Sequence, residues 1–172
     1  MSSRELGPAD ASLQIKTYRE GRAAKVGHDL IIEVGDWQAT LELGDGASPS
    51  SARFTADSRS LTILEGLRGL KPLSDRDRGE IVKTIDSKVL RGAPISFTST
   101  DVSQDGDTLT ATGQLEIAGG RHEITVTLHG AAEGRYAGSV AVQQSALGIK
   151  PYSGLMGALK VRDEVEVVLS PR

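Results

Sequence analysis

The stretch Leu109–Ile117 reads Leu-Thr-Ala-Thr-Gly-Gln-Leu-Glu-Ile and alternates apolar or small residues with polar ones. Successive side chains of a β-strand point to opposite faces of a sheet, so a period of two is typical of a strand buried on one face. The positions expected on the buried face are Leu109, Ala111, Gly113, Leu115 and Ile117. The stretch therefore predicts a half-buried strand.

The segments on both sides of this strand repeat the alternation, and turn residues separate them. The preceding segment begins near Ile95, and the link 104–107 contains an Asp-Gly pair that admits the positive φ of a hairpin turn. The link 118–121 contains two glycines and leads into a third alternating segment at 122–128. We therefore predict three consecutive strands in a meander.

Alternation elsewhere predicts further strands. They are expected at about 12–18, 28–34, 37–43, 51–57, 136–142 and 161–169. An open sheet of about eight antiparallel strands would leave two exposed edges, and closure into a barrel removes both. An eight-stranded barrel can hold one small ligand when its inward residues are small. The fold class is therefore predicted to be all-β, an antiparallel barrel of about eight strands.

One segment, near residues 75–91, has helical rather than β spacing. Ser74 is a suitable N-cap and acidic residues follow it in the first turn. Apolar residues then recur every three or four positions, at Ile81, Val82, Ile85 and Val89. We expect one α-helix of about four turns, ending near Arg91-Gly92 with the glycine as the left-handed residue and Pro94 preventing continuation.

Length and composition favour one ordinary globular domain spanning 1–172. The chain has 172 residues, 38% hydrophobic and 25% charged, with a formal charge of -3. This charge gives no electrostatic reason to bind a polyanion, so no nucleic-acid partner is predicted. There is no cysteine, which rules out a disulfide framework or a thiolate metal site.

The sequence also lacks the usual signals for export or membrane insertion. The first residues carry no apolar signal-peptide core, and no stretch approaches the roughly 18 apolar residues of a membrane span. We therefore expect no transmembrane segment and a cytoplasmic location.

No pattern of catalytic residues is found. The sequence contains no Gly-x-Ser-x-Gly, Walker-type or dinucleotide-binding motif. His28 and Asp29 are adjacent, so on a strand they point to opposite faces and cannot form a catalytic dyad. His122 and His129 are also predicted to lie on opposite faces, which argues against a shared metal ion. No enzyme activity and no metal site are predicted, while a heme ligand at His28 or His122 stays open as an alternative.

A cluster of basic residues precedes and enters the predicted helix. It comprises Arg68, Lys71, Arg76 and Arg78, interspersed with acidic residues. Such a mixture is typical of a solvated helix face. An anionic head group at the mouth of the barrel is the alternative.

The order of several motifs resembles the YceI-like family. The strand Pro-Ile-Ser-Phe-Thr-Ser-Thr-Asp at 94–101 is followed by Gly-Gln-Leu-Glu-Ile at 113–117 and by the strand 123–128. Arg76-Asp77 resembles the opening of the family's helix, and Leu147-Gly148-Ile149 resembles the turn before its last strand. The resemblance implies a lipocalin-like barrel whose lumen holds a polyisoprenoid, an isoprenoid quinone or a similar amphipathic lipid, often in a homodimer.

The lumen hypothesis assigns ligand-binding residues to the barrel wall and to one segment at its mouth. The wall residues are Trp37, Phe54, Phe97, Gly113, Val126 and Val140, and the mouth residues are Ile149, Tyr152, Leu155 and Met156. The segment 145–158 is apolar and contains a flexible methionine, where a solvated loop should be polar. The alternative for each of these residues is simple core packing.

The leading functional hypothesis is thus a binding or carrier protein for a long apolar molecule, with no other cofactor. The alternative is a barrel with a filled core that acts as a protein-interaction or stress-associated scaffold. A heme or metal protein is the third reading.

Overall fold

The computed structural model describes residues 2–172, except for the side chains of Ala47 and Leu155. Within this range the chain forms fourteen strands: β1 Ser2–Leu6, β2 Ala11–Thr17, β3 Arg19–Glu20, β4 Asp29–Val34, β5 Trp37–Leu43, β6 Pro49–Ala56, β7 Leu61–Leu67, β8 Ile95–Asp105, β9 Thr108–Ile117, β10 Gly120–Leu128, β11 Gly138–Gln143, β12 Ser153–Gly154, β13 Leu159–Val161 and β14 Glu164–Pro171. Short 3-10 turns lie at Ala24–Val26, Asp45–Ala47, Ala131–Glu133, Gln144–Leu147 and Leu155–Gly157.

The strands form two large sheets and one small one, and all observed pairs are antiparallel. The first sheet has the order β1-β5-β6-β8-β9-β10, and the second has the order β11-β14-β2-β4-β7. The small sheet is β12-β13-β3. The buried apolar core lies where side chains of the two large sheets meet. Its members include Leu13, Ile32, Trp37, Phe97, Leu109 and Leu115.

The expectation of a closed barrel of about eight strands is wrong for the described residues. Eleven strands make up the two large sheets, and neither sheet closes on itself. The sheets meet where β10 and β11 approach, through a single bridge in which His129 and Ala137 exchange backbone hydrogen bonds of 2.8 and 2.9 Å. Among residues 2–172, no strand pairs with the outer edge of β7 in the second sheet.

A helix packs along that β7 edge. Helix α1, Asp75–Thr84, continues as a π-helix over Ile85–Leu90. The Arg78 guanidinium donates to the carbonyl oxygens of Ile63 and Leu64, at 3.3 and 2.9 Å. These bonds lie where the pairing of β4 with β7 shifts register, and they attach the helix to the last strand of the second sheet.

The two ends of this helix follow the sequence signals with one difference. Ser74 is the N-cap, as predicted, and it forms a reciprocal capping box with Asp77 that the sequence analysis did not predict. At the C-terminus both Arg91 and Gly92 have positive φ, at 54° and 65°. The left-handed conformation thus begins one residue before the glycine, at an arginine.

Candidate functional site

A cavity of about 780 Å³ lies between the two large sheets and the helix. This volume is within the range of small-molecule sites. The first sheet contributes Trp37, Leu41, Phe54, Phe97, Leu115 and Val126, and the second contributes Leu13, Ile15, Ile32, Val140 and Val167. Helix α1 and the following π-helix contribute Ile81, Ile85 and Val89. The interior is therefore hollow, whereas the scaffold alternative assumed a filled core.

Alternation along the strands explains why the lining is apolar. In β2, Leu13, Ile15 and Thr17 line the cavity, whereas Gln14 and Lys16 do not. In β5 and β6 several cavity positions carry only a methyl group. These positions are Ala39, Ala52 and Ala56. Because the facing side chains are small, the sheets can approach normally and still leave unfilled volume.

Two aromatic residues of the cavity, Trp37 and Phe54, form a packed pair. Trp37, the only tryptophan of the chain, is 4% exposed. Its ring centroid lies 6.2 Å from that of Phe54, with an interplanar angle of 34°. This distance is typical of a packed aromatic pair. Trp37 is therefore a built-in fluorescent reporter for the cavity.

Seven of the ten predicted ligand-binding residues line the cavity. They are Trp37, Phe54, Phe97, Val126, Val140, Ile149 and Tyr152. The side chain of Leu155 lies outside the described residues. Gly113 and Met156 do not line the cavity, and each has a separate physical reason.

Gly113 supports a strand irregularity and does not leave room in the cavity. A β-carbon at this position would lie 2.2 Å from the Thr98 carbonyl oxygen and 2.6 Å from the Ser99 Cα. The pairing of β8 with β9 shifts register between Ser99 and Asp101. Only glycine permits the backbones to approach this closely. The expectation that Gly113 lines the lumen is therefore wrong.

Met156 projects away from the cavity. Its side chain is fully exposed, and its backbone has a φ of 56°. Within the predicted mouth segment 145–158, Leu147 and Ile149 are buried and Tyr152 is 38% exposed. Among the described side chains of this segment, Leu147, Ile149 and Tyr152 line the cavity and Met156 faces solvent.

A polar cluster borders the cavity beside the first residues of β4. The buried Asp29 carboxylate accepts the Arg19 backbone N–H at 2.8 Å and pairs with the Arg68 guanidinium at 3.3 Å. His28 Nε2 lies 2.6 Å from the Lys71 carbonyl oxygen. Asp29 therefore holds the segments that contain Arg19 and Arg68 against the start of β4, and His28 contacts the segment that contains Lys71. Both have a structural role.

Sequence reasoning missed the contribution of the helix to the cavity wall. The spacing of Ile81, Ile85 and Val89 predicted one apolar helix face but not the surface that this face covers. It also missed Arg19, which lines the cavity and belongs to the two-residue strand β3. A strand that short has no alternation by which the sequence could reveal it.

Two features are absent from the described part of the chain. Among residues 2–172, no group of three or more His, Cys, Asp or Glu side chains is arranged to hold a metal ion. Over the same residues, no helix is long and apolar enough to cross a membrane.

Comparison with known proteins gives a family and a fold. The family model of the YceI-like domain matches residues 8–171. No curated protein matches the chain. The structure is similar to that of BcnA from Burkholderia cenocepacia, with a TM-score of 0.66, 16% identity and 94% of each chain covered. It is also similar to the YceI protein of Campylobacter jejuni, with a TM-score of 0.52, 13% identity, and 82% of this chain and 84% of that one covered.

Proposed function

Because the chain belongs to the YceI-like family, we propose that it is a single-domain binding or carrier protein that holds an isoprenoid lipid, an isoprenoid quinone or a similar amphipathic molecule in its cavity. The family is one of polyisoprenoid-binding proteins, and its members are binding proteins rather than enzymes. The proposal assigns the apolar chain of the ligand to the space between the sheets.

The observation that carries the proposal is the cavity itself. It has a volume of about 780 Å³ and is lined mainly by aliphatic and aromatic side chains from both sheets and the helix. Protein interiors are normally packed at the density of organic crystals, with few voids larger than a water molecule. When a cavity of this size is empty, its lining lacks the packing contacts of a filled core. An apolar ligand would supply those contacts.

The energy available from burial is sufficient for binding. A ligand of isoprenoid length would bury several hundred square ångströms of apolar surface, worth of order 10 kcal/mol at roughly 25 cal/mol per Å² before association costs. Part of this gain is offset by lost translational freedom and by ordering of the flexible chain. Apolar contact alone therefore supports useful affinity.

Polar groups at the cavity border suit a ligand with one polar end. Arg19, His28, Glu80 and Lys160 all line the cavity near the loops that surround its mouth. The apolar wall would take the chain, and this border would take a hydroxyl, quinone or charged head group. An amphipathic ligand is therefore a better match than a pure hydrocarbon.

Fluorescence of Trp37 provides a direct test. Titration with geranylgeraniol or with a ubiquinone analogue that bears a ten-carbon tail should change the emission of this single tryptophan in a saturable way, because Trp37 lines the cavity. Ala52→Phe places a ring into the cavity and should weaken binding at least tenfold by occupying ligand volume.

A matched control is available on the same strand. Thr55 of β6 is exposed, so Thr55→Phe adds the same ring outside the cavity and should leave the affinity unchanged. Equal affinities for Ala52→Phe and the wild type would exclude the cavity as the binding site.

Organic extraction of protein purified from its native host, followed by mass spectrometry, should recover a stoichiometric isoprenoid. Repeated recovery of none would count against the proposal.

A further inference from the structure

Three segments, at residues 18–28, 66–73 and 148–162, each contribute to the lining of the cavity and are called the rim here. Hydrogen bonds hold the rim together. The Ala23 N–H donates to the Ala158 carbonyl at 2.7 Å, which joins the first loop to the third. The Arg19 guanidinium donates to the Arg68 carbonyl, and His28 Nε2 lies 2.6 Å from the Lys71 carbonyl. These bonds join the first loop to the second, so the three loops form one surface.

The exposed large apolar side chains of the chain are concentrated on this surface. Among the described side chains, those that qualify are Val26, Leu67, Leu70, Tyr152 and Met156, and all five belong to the rim. Leu70 is 71% exposed and Met156 is fully exposed. Single exposed apolar residues are normal on a protein surface, but a set confined to one surface marks an interaction site.

Met156 is exposed at an energetic cost. Its φ of 56° lies in the left-handed region, which is unfavourable for a residue with a side chain. The strain presents a long, flexible apolar side chain at the tip of the third loop without any burial in return. Strained residues cluster at functional sites, and methionine is common on adaptable binding surfaces.

The rim is also strongly basic. It contains eight of the chain's 20 lysine and arginine residues but only one of its 23 aspartate and glutamate residues, Glu20. The protein as a whole has a formal charge of -3, so its positive charge is concentrated at the mouth. An asymmetry of this kind attracts a negatively charged surface to one face only.

Most of these cations are not neutralised by the protein. Arg68 pairs with Asp29 at 3.3 Å, and Arg162 pairs with Glu20 at 4.0 Å. Within residues 2–172, five rim cations are exposed and form no ion pair. They are Arg22, Lys25, Lys71, Lys150 and Lys160.

Two acidic residues of helix α1 also border the cavity. The carboxylate of Asp77 accepts the Ser74 N–H at 3.0 Å, and Glu80 pairs with Arg76 at 3.3 Å. Both belong to helix α1 and not to the rim. The basic character of the rim is therefore not cancelled by unpaired carboxylates on its own loops.

We propose that the rim docks on the surface of an anionic lipid bilayer. Lysine and arginine side chains near such a surface are attracted by anionic head groups, and apolar side chains beside them enter the boundary with the acyl chains. A nucleic acid would meet the same charges but would leave Leu70, Tyr152 and Met156 in water. Docking in this orientation opens the cavity mouth toward the bilayer, and it can be measured whether or not the cavity holds a ligand.

Co-sedimentation with large vesicles tests the proposal with the intact protein. Binding is expected to vesicles that contain phosphatidylglycerol and to be much weaker with phosphatidylcholine alone. It should fall as salt rises from 50 to 500 mM, because salt screens the charges. No binding to phosphatidylglycerol vesicles at low salt would overturn the proposal.

A pair of double variants separates the rim from the general charge of the protein. Lys150→Gln with Lys160→Gln should lower the partition coefficient about 30-fold, since each cation near an anionic surface contributes measurably to binding. Lys83→Gln with Lys88→Gln changes two exposed lysines of the helical segment and should leave the partition coefficient unchanged. Equal losses in the two variants would overturn the assignment of the rim.

The apolar part of the proposal has its own test. Met156→Ser should weaken vesicle binding at least about fivefold, and Met156→Leu should retain it, because leucine keeps an apolar side chain at the tip. A second copy of the chain is the competing occupant of this surface. Light scattering without vesicles should give the same mass for the wild type and for Met156→Ser, and a dimer mass that Met156→Ser abolishes would overturn membrane docking in favour of self-association.

Discussion

The antiparallel pair β4 and β7 has two ends that are built very differently. At one end Val34 pairs with Leu61, and at the other Asp29 pairs with Leu67. The first end is closed by two short turns that bond to each other, with the Gly35 N–H donating to the Ser60 carbonyl at 2.8 Å. Val34 and Leu61 are both buried there.

The second end opens into the rim. Leu67 is 43% exposed, and the loop that follows β7 carries Leu70, which is more exposed still. Polar contacts hold this end, since Asp29 joins Arg19 and Arg68. The β4–β7 pair thus has one buried, apolar end with short turns. Its other end is basic and exposes apolar side chains to water.

The difference indicates that one end of the pair stabilises the fold and that the other is available for contact with a partner. Burial at the Val34 end stabilises the fold, because those side chains leave water only in the folded state. The apolar side chains at the Leu67 end gain little from folding and are available to a partner or a lipid surface. Substitutions at the two ends should therefore have unequal effects on the free energy of unfolding.

The largest difference is expected between two leucines of the same strand. Leu61→Ala should lower the free energy of unfolding by about 2 to 3 kcal/mol, the lower part of the range for buried leucines, because Leu61 faces an existing cavity. Leu67→Ala should change it by less than about 1 kcal/mol, because much of that side chain is already in water. Urea unfolding of both variants measures the two values.

The control for this pair is the wild-type slope of the unfolding free energy against urea concentration. If both variants keep that slope, the difference in midpoints reports stability alone. A cost for Leu67→Ala equal to that of Leu61→Ala would contradict the division, since it would mean that the rim end contributes to the core.

A smaller effect is expected from the polar contacts at the rim end. Asp29→Ala removes a buried acceptor of the Arg19 N–H and should cost about 1 to 2 kcal/mol, because that N–H loses its partner. Arg68→Gln removes only the ion pair, whose arginine side chain is 72% exposed, and should cost less than about 0.5 kcal/mol. Thermal unfolding of the two variants distinguishes them, and a larger loss in Arg68→Gln would refute the ranking.

The strands were largely predictable from the sequence because alternation is a local signal. The segment predicted at 37–43 is β5, and the meander 95–128 forms strands β8, β9 and β10. Strand β1 was missed, since Ser2-Ser3-Arg4-Glu5-Leu6 is polar at four of five positions and pairs only at the sheet edge. Barrel closure could not be read from alternation, because it depends on whether distant edges meet. Here a helix covers one of those edges.

The cavity wall was predictable to a similar degree and for the same reason. Trp37, Phe54 and Val126 lie on inward faces of alternating strands and line the cavity as predicted. Gly113 also lies on an inward face, but the bulge in its neighbour strand brings backbone against it. The rim could not be predicted as a surface, because its three loops come together only through contacts such as the bond from Ala23 to Ala158.

The smallest effect is expected at the first turn of helix α1, where the chain leaves the rim. The Ser74 backbone N–H, followed by its hydroxyl, bonds with Asp77 and holds the pKa of that carboxyl below its ordinary value of 3.8. A carboxyl whose pKa is lower in the folded state stabilises above its unfolded pKa and loses that contribution as the pH falls through the folded pKa. The N–H groups of Asp77 and Arg78 bond to the Ser74 hydroxyl and carbonyl. Their amide exchange, corrected for its intrinsic pH dependence, should therefore be slow at pH 5 and faster below 3.8. Asp77→Asn should remove this acid dependence. A loss of protection in the wild type between pH 7 and 5 would assign the effect to another group, because Asp77 stays ionised over that range.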